Sequence, residues 1–194
     1  KIIDNIFESY EALNNLIKSG KVRSIGLSND TSWGLMKFIE IAKQKSLHRI
    51  VSVQNPYSLL NRIYEINMSE IAQRENVKLL AYSPLGFGIL TGKYLNSSPK
   101  NARLTLWNHF DRYSNKNSKK ATIKYVEIAK KYGISPTQMA LSFVNQQPFV
   151  TSNIIGATNI KQLKENINSI NVSLSNEIKK EIELIHTQQP NPAP

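Results

Sequence analysis

Apolar positions along this chain recur with helical spacing in some stretches and as short unbroken runs in others. Ile6, Tyr10, Leu13, Leu16 and Ile17 return every three or four positions, which predicts a helix over about 4–19 closed by Gly20. The run from Val22 to Leu27 reads as a short strand that ends in Ser28-Asn29-Asp30. A second helix is predicted over 31–45, with Leu35, Phe38, Ile39 and Ala42 on one face. Ile50 to Gln54 is a second strand, leading into Asn55-Pro56-Tyr57, and a helix over 64–75 precedes a third strand over 77–82. These strands start about 28 residues apart, and strand–helix–strand units at that interval argue for a parallel sheet with right-handed crossovers.

The beat then breaks. Residues 87–117 are rich in Asn, Ser, Lys and Arg and read as one long loop. Helices follow over 118–132 and 136–147, the second opened by Pro136 with Ser135 as its cap. A fourth strand is expected over 151–156 and a helix over 160–170. Ser175 caps a last helix whose inner face carries Ile178, Ile182 and Ile185, and a Pro-rich segment over 189–194 ends the chain. No boundary divides residues 1–194, so a single α/β domain is expected. Four parallel strands with their helices make half of an eight-stranded barrel, whose usual length is about 250 residues. A compact open sheet is the competing arrangement. Half a barrel would leave two sheet edges and one face open, so such a chain is expected to aggregate, self-associate or recruit the rest of the barrel.

Composition narrows the partners. The formal charge is +11, from 25 Lys and Arg against 14 Asp and Glu, which favours phosphate-bearing ligands. The charges are scattered, as in Lys116, Lys119, Lys120 and Lys124, and read as a solvated surface rather than a nucleic-acid interface. No window approaches eighteen apolar residues, so no membrane span is expected, and the start lacks the features of a signal peptide. The absence of cysteine excludes disulfides and thiolate chemistry and is compatible with a reducing cytoplasm.

Familiar motifs fail in turn. Gly86-Phe87-Gly88 begins a dinucleotide fingerprint, but Thr91 stands where its third glycine belongs. Gly92-Lys93 has the wrong spacing to either earlier glycine for a phosphate loop, and Tyr94 replaces its Ser or Thr. Asp30 takes the place of the second glycine in a nucleophile elbow, and His48, His109 and His186 are too dispersed for a metal. What remains is a set of polar residues at strand ends: Ser28 and Asn29, then Gln54, then Tyr82 and Ser83, then Gly156-Ala157-Thr158. Amide and hydroxyl groups can satisfy a carboxamide, and Tyr82 offers a ring for stacking. A helix starting near Asn159 would turn free N–H groups toward an anion.

With these segments in view, the chain resembles the C-terminal part of the NADP-dependent aldo/keto reductases, and within them a bacterial branch. The resemblance is carried over essentially the whole length by KVRSIGLSN (21–29), VQNPYSLLNR (53–62), AYSPLGFGILTGKY (81–94), QMALSFVNQQP (138–148) and IIGATNIKQLKENI (154–167). It implies the C-terminal half of a (β/α)8 barrel, with the N-terminal half absent. It also implies NADP(H) as cofactor and a small carbonyl compound as substrate of the complete enzyme. Ser28, Asn29 and Gln54 would hold the nicotinamide carboxamide, with Tyr82 stacked on the ring. Ser83, Pro84, Leu85, Gly88 and Lys93 would line the pyrophosphate and ribose path. Arg103, Gly156, Thr158, Gln162, Glu165 and Asn166 would hold the adenosine end.

The family's proton-donating tyrosine, with its lysine, aspartate and histidine, would precede the position matching Lys1. No catalytic residue is therefore expected here, and neither Tyr57 nor Tyr82 is a substitute. The chain alone is expected to be inactive, which leaves a non-catalytic nucleotide-binding or interaction module as the alternative. Trp107, Phe110 and Tyr113 could cover the substrate pocket or pin the long loop.

Overall fold

The computed structural model describes residues 5–107 and 111–194 of the 194-residue chain. Helix α1 (Ile6–Lys18) is capped by Asn5, whose side chain accepts from the Glu8 N–H. Strand β1 (Ile25–Ser28) starts three residues later than expected, because the Lys21 and Val22 N–H groups turn back to the Leu16 carbonyl and close α1. Helix α2 (Ser32–Lys45) is capped by Thr31, and β2 (Ile50–Pro56) follows. The helix expected over 64–75 is broken into a 3-10 turn (Ile63–Glu65) and α3 (Met68–Arg74), with non-helical backbone at Asn67 between them. Strand β3 (Lys78–Tyr82) completes this part.

The segment read as one long loop contains a 3-10 turn (Gly86–Thr91) and a single helical turn, α4 (Arg103–Leu106). Helix α5 (Lys116–Lys131) is capped by Asn115, and α6 (Pro136–Asn145) opens on its proline. Strand β4 (Val150–Asn153) ends three residues earlier than expected. Helix α7 (Ile160–Asn168) leads through a 3-10 turn (Ser169–Asn171) to α8 (Asn176–Gln188), which Ser175 caps as predicted.

The four strands are parallel in the order β1-β2-β3-β4. A doubly wound open sheet reverses its strand order and carries helices on both faces. Here the order never reverses. One face buries Ile25, Val53, Leu79 and Ala81 against the helices. The other presents Gly26, Ser28, Ser52, Gln54, Leu80 and Tyr82, with Ser28, Gln54 and Leu80 in one register row. This is half of a barrel: a sheet with helices outside and an interior face uncovered. That interior face is mostly polar, which lets water cover it at lower cost than an aliphatic face would allow. No helix among the described residues is long and apolar enough to cross a membrane.

The ends of the elements are tied together by Arg62. Its guanidinium is largely buried and donates through Nε and Nη2 to both oxygens of Glu65, at 2.7 Å each. Nη1 donates to Glu183 of α8 at 2.8 Å, and the group lies 5.1 Å over the Phe143 ring of α6. The Tyr57 hydroxyl donates to Glu65, and burial together with that carboxylate pushes the phenol well above its ordinary range. The Arg62 N–H donates to Asn191, and Ala193 donates to the Leu60 carbonyl, so the Pro-rich end packs into the structure.

Two outcomes follow. Arg62→Ala strands the Glu65 carboxylate and removes the link to α8, and a loss of about 3–5 kcal/mol is expected in urea unfolding. His186, on α8, has its pKa lowered by burial, with the Arg62 charge adding to the effect. Its unfolded form therefore takes up a proton that the folded form resists, and stability falls as pH drops below about 6.5. A His186→Gln variant should flatten that part of the stability profile.

Candidate functional site

Strands β1 and β3 both leave the sheet through left-handed backbone at a non-glycine residue. Asn29 has φ 55° and Ser83 φ 54°. Such a conformation costs about 1–2 kcal/mol, and strain of this kind concentrates at functional sites. The turn at Asn29 is held from β2. The Gln54 carbonyl accepts from the Asn29 N–H at 3.0 Å and from the Ser28 hydroxyl at 3.2 Å. The Tyr82 hydroxyl donates to Asn29 Oδ1 at 2.8 Å, linking the ends of β1 and β3 across the rim. Ser28 and Gln54 lie side by side on the uncovered face, with exposed side chains.

Beyond β3 the rim opens into a cavity of about 930 Å³, toward the upper end of the range for small-molecule sites. One wall is Ser83, Pro84, Leu85, Gly88 and Lys93. The facing wall is Gly156, Thr158, Gln162, Glu165 and Asn166, with Arg103 on a third side. Ser28, Asn29, Gln54 and Tyr82 stay on the rim outside the cavity wall, which begins at the residue following Tyr82.

Each wall has a local cause. Gly88 has φ 92°, and a Cβ there would stand 3.0 Å from Lys93 Nζ, so glycine lets the lysine lie across the turn. Lys93 Nζ sits 5.1 Å from the centroid of the Tyr94 ring, whose hydroxyl accepts from the Leu104 N–H at 3.2 Å. That bond positions α4, and with it Arg103, whose guanidinium lies 5.2 Å over Phe87. Phe87 meets Tyr113 edge-on at 4.8 Å. Tyr113 is buried, its phenol raised by that burial while Ser83 hydrogen-bonds it. Tyr113 thus pins the loop, whereas Trp107 is exposed and Phe110 lies outside the described residues.

On the facing wall several polar groups hold the 156–158 segment. Gln162 Oε1 accepts from the Thr158 N–H at 2.9 Å and its hydroxyl at 3.0 Å. Asn166 is buried and donates to the Gly156 carbonyl at 3.0 Å. Ser135, expected as the cap of α6, makes no side-chain cap bond; its hydroxyl donates to Glu165 instead. Glu165 and Asn166 are therefore fixed from within the protein as well as turned toward the cavity. The starts of α6 and α7 both border the space, together with the cations Lys93 and Arg103 and the carboxylate of Glu165. Sequence reasoning missed Ser135, Pro136 and Thr137 as cavity residues, since Ser-Pro before a helix reads only as a helix start. Thr91, Pro99 and Asn101 carried no distinguishing signal.

Comparison with known proteins places these features in context. Residues 2–186 match the sequence pattern of the Aldo/keto reductase family. The chain is 49% identical over 191 residues to protein tas of Escherichia coli (strain K12), an alignment covering 98% of this chain and 55% of that protein. It is 35% identical over 194 residues to an aldo-keto reductase of Babesia bovis, covering 95% and 68% respectively. It is 32% identical over 170 residues to L-glyceraldehyde 3-phosphate reductase of Escherichia coli (strain K12), covering 84% and 49%. The chain thus spans about half the length of the two Escherichia coli relatives.

The backbone of the cavity wall can be tested directly. Gly88→Ala forces a Cβ into the left-handed region beside Lys93 and should cost about 1–2 kcal/mol in urea unfolding. Gly156→Ala meets open space at an ordinary φ and should change stability by less than about 0.5 kcal/mol. Equal stability of the two variants would mean that the Gly88 turn does not adopt this conformation.

Proposed function

The chain belongs to the aldo/keto reductase family, and from that premise we propose that it forms the cofactor-binding side of an NADP(H)-dependent reductase of small carbonyl compounds. One observation carries the reading. A polar strand-end rim runs directly into a cavity of about 930 Å³ bordered by two helix starts, Lys93 and Arg103. The residues present fit a nicotinamide dinucleotide along its length. Exposed Ser28 and Gln54, beside Asn29, offer the donors and acceptors a carboxamide requires. Tyr82, tethered through its hydroxyl, presents a ring of fixed orientation for stacking. Ser83, Pro84, Leu85 and Gly88 form a wall that a pyrophosphate and ribose could approach closely, with Lys93 as the neutralising cation. Arg103, with Gly156, Thr158, Gln162, Glu165 and Asn166, surrounds the volume available to the adenosine end and its phosphate.

When bound, the cofactor supplies the hydride for carbonyl reduction. The protein's share on this side is to orient the nicotinamide ring, neutralise phosphate charge and keep one ring face against Tyr82. A proton donor is a separate requirement. Tyr57 is buried with its hydroxyl on Glu65, and the Tyr82 hydroxyl is directed to Asn29, so neither suits protonation of a carbonyl oxygen. The proposal therefore leaves proton transfer to the part of the relatives that this chain does not span. The relative named as a reductase of L-glyceraldehyde 3-phosphate supports small aldehydes as the substrate class. The same site without turnover would make the chain a nucleotide-binding module, and activity separates the two readings.

Titration of NADPH against the 194-residue chain, followed by nicotinamide fluorescence, should show binding that weakens with added salt. Lys93→Met and Arg103→Met should each lower affinity roughly tenfold, the loss of one charge-assisted phosphate contact. No aldehyde-dependent oxidation of NADPH is expected from this chain by itself. Turnover would place a proton donor within residues 1–194 and overturn this division of roles.

A further inference from the structure

A segment with prolines at 190, 192 and 194 can form no regular backbone ladder, yet Pro192 and Ala193 are buried. Its polar groups are satisfied one by one. The Asn191 side-chain oxygen accepts from the Arg62 N–H at 2.6 Å, and the Ala193 N–H donates to the Leu60 carbonyl at 3.0 Å. The Pro192 carbonyl accepts from Asn115 Nδ2 at 2.9 Å and from the buried Ser118 hydroxyl at 3.1 Å. The Pro194 carbonyl accepts from Arg112 Nε at 2.9 Å. None of these bonds serves α8 itself, which ends at Gln188.

The anchoring residues are also the supports of the cavity wall. The Arg112 guanidinium lies 5.6 Å from the centroid of the Tyr113 ring. Tyr113 pairs with Ser83 and meets Phe87 edge-on, and Arg103 rests on Phe87. From the other side, a Cβ at Gly86 would stand 3.2 Å from the Leu60 side chain and 3.3 Å from Tyr113. The contacts therefore close a ring that runs from the proline segment through Arg112, Tyr113 and Gly86 to Leu60 and back. Asn115 ties the same segment to α5. Its side-chain oxygen caps that helix through the Asn117 and Ser118 N–H groups, while its Nδ2 holds Pro192.

We propose that residues 190–194 position Arg103 and Ser83 at the cavity, acting through Arg112, Asn115 and Tyr113. No residue of the segment lines the cavity, so its action is indirect. Arg103 sits on a helical turn of four residues, too short to hold itself in place. That turn is supported from outside by the Tyr94 hydroxyl and by Phe87, which packs against Tyr113. Three prolines suit a strut of this kind, because a segment with few unfolded conformations docks at a low entropic cost. The consequence for nucleotide affinity rests on the cofactor reading above, whereas the consequence for the wall does not.

With Trp33→Phe in the background, Trp107 at the end of α4 is the sole tryptophan and reports on that turn. Asn115→Asp keeps the oxygen that caps α5 and removes one donor to Pro192, and Ser118→Ala removes the other. The double variant should lower the Trp107 fluorescence anisotropy, read well below the melting temperature, with unchanged far-ultraviolet circular dichroism. It should also weaken NADPH binding about fivefold, the equivalent of one net hydrogen bond. Arg112→Met, at an exposed position, should act in the same direction, which keeps the test open if the double variant does not fold. Lys119→Met, an exposed charge control near the start of α5, should change neither reading. A lowered melting temperature with unchanged anisotropy and affinity would make the segment a fold stabiliser only and overturns the proposal. Unchanged anisotropy in Arg112→Met overturns it as well, and so does a fall in anisotropy that leaves NADPH affinity intact. If the unaltered chain binds no NADPH, the cofactor reading fails, and the anisotropy alone still decides whether the segment holds the wall.

Discussion

A guanidinium taken out of water must find charge and hydrogen-bond partners, and Arg62 finds them on several elements at once. Glu65 comes from the turn after β2, Glu183 from α8, the Phe143 ring from α6 and Asn191 from the end of the chain. Tyr57, just past the end of β2, enters the same network through Glu65. A buried ion pair of this kind contributes little net stability compared with an apolar replacement, but losing one partner is costly. Its consequence is geometric: the exit of β2 is locked to the last helix and to the Pro-rich end, so the segment from Gln54 to Glu65 has little freedom.

That constraint reaches the candidate site through Gln54. Its carbonyl receives both Ser28 and Asn29, and Asn29 in turn receives Tyr82. The strained turn at Asn29 is therefore held by a bond to a neighbouring strand, whereas Ser83 is held by its own turn, through the Gly86 N–H, and by Tyr113. On the far side of the cavity, bonds from Gln162, Asn166 and Ser135 hold the wall in a comparable way. The polar residues of α7 face this wall, and the helix accordingly turns its isoleucines outward.

Much of the architecture was legible in the sequence because its signals are local. Periodicity located the helices and the four strands, and Ser175 and Pro136 marked real helix starts. Errors fell where a distant partner decided. Val22 reads as strand but closes α1 through the Leu16 carbonyl, and Tyr64 to Glu75 reads as one helix but is interrupted at Asn67. Ser135 reads as a cap, yet its hydroxyl turns to Glu165, thirty positions along the chain. The long polar segment gave no periodic signal because its helical turns are too short to have one.

By itself, the sequence determined the class of fold, the parallel order of βα units and the chemical character of the strand ends, all of which follow from side-chain period and turn chemistry. Its motifs also identified the family. Only the tertiary structure decided which polar residues share a cavity, that the uncovered sheet face is largely polar, and that the apolar side of α7 points away from the core. Those outcomes depend on how elements far apart in sequence pack, and no period along a single chain encodes which side of a helix its neighbours will occupy.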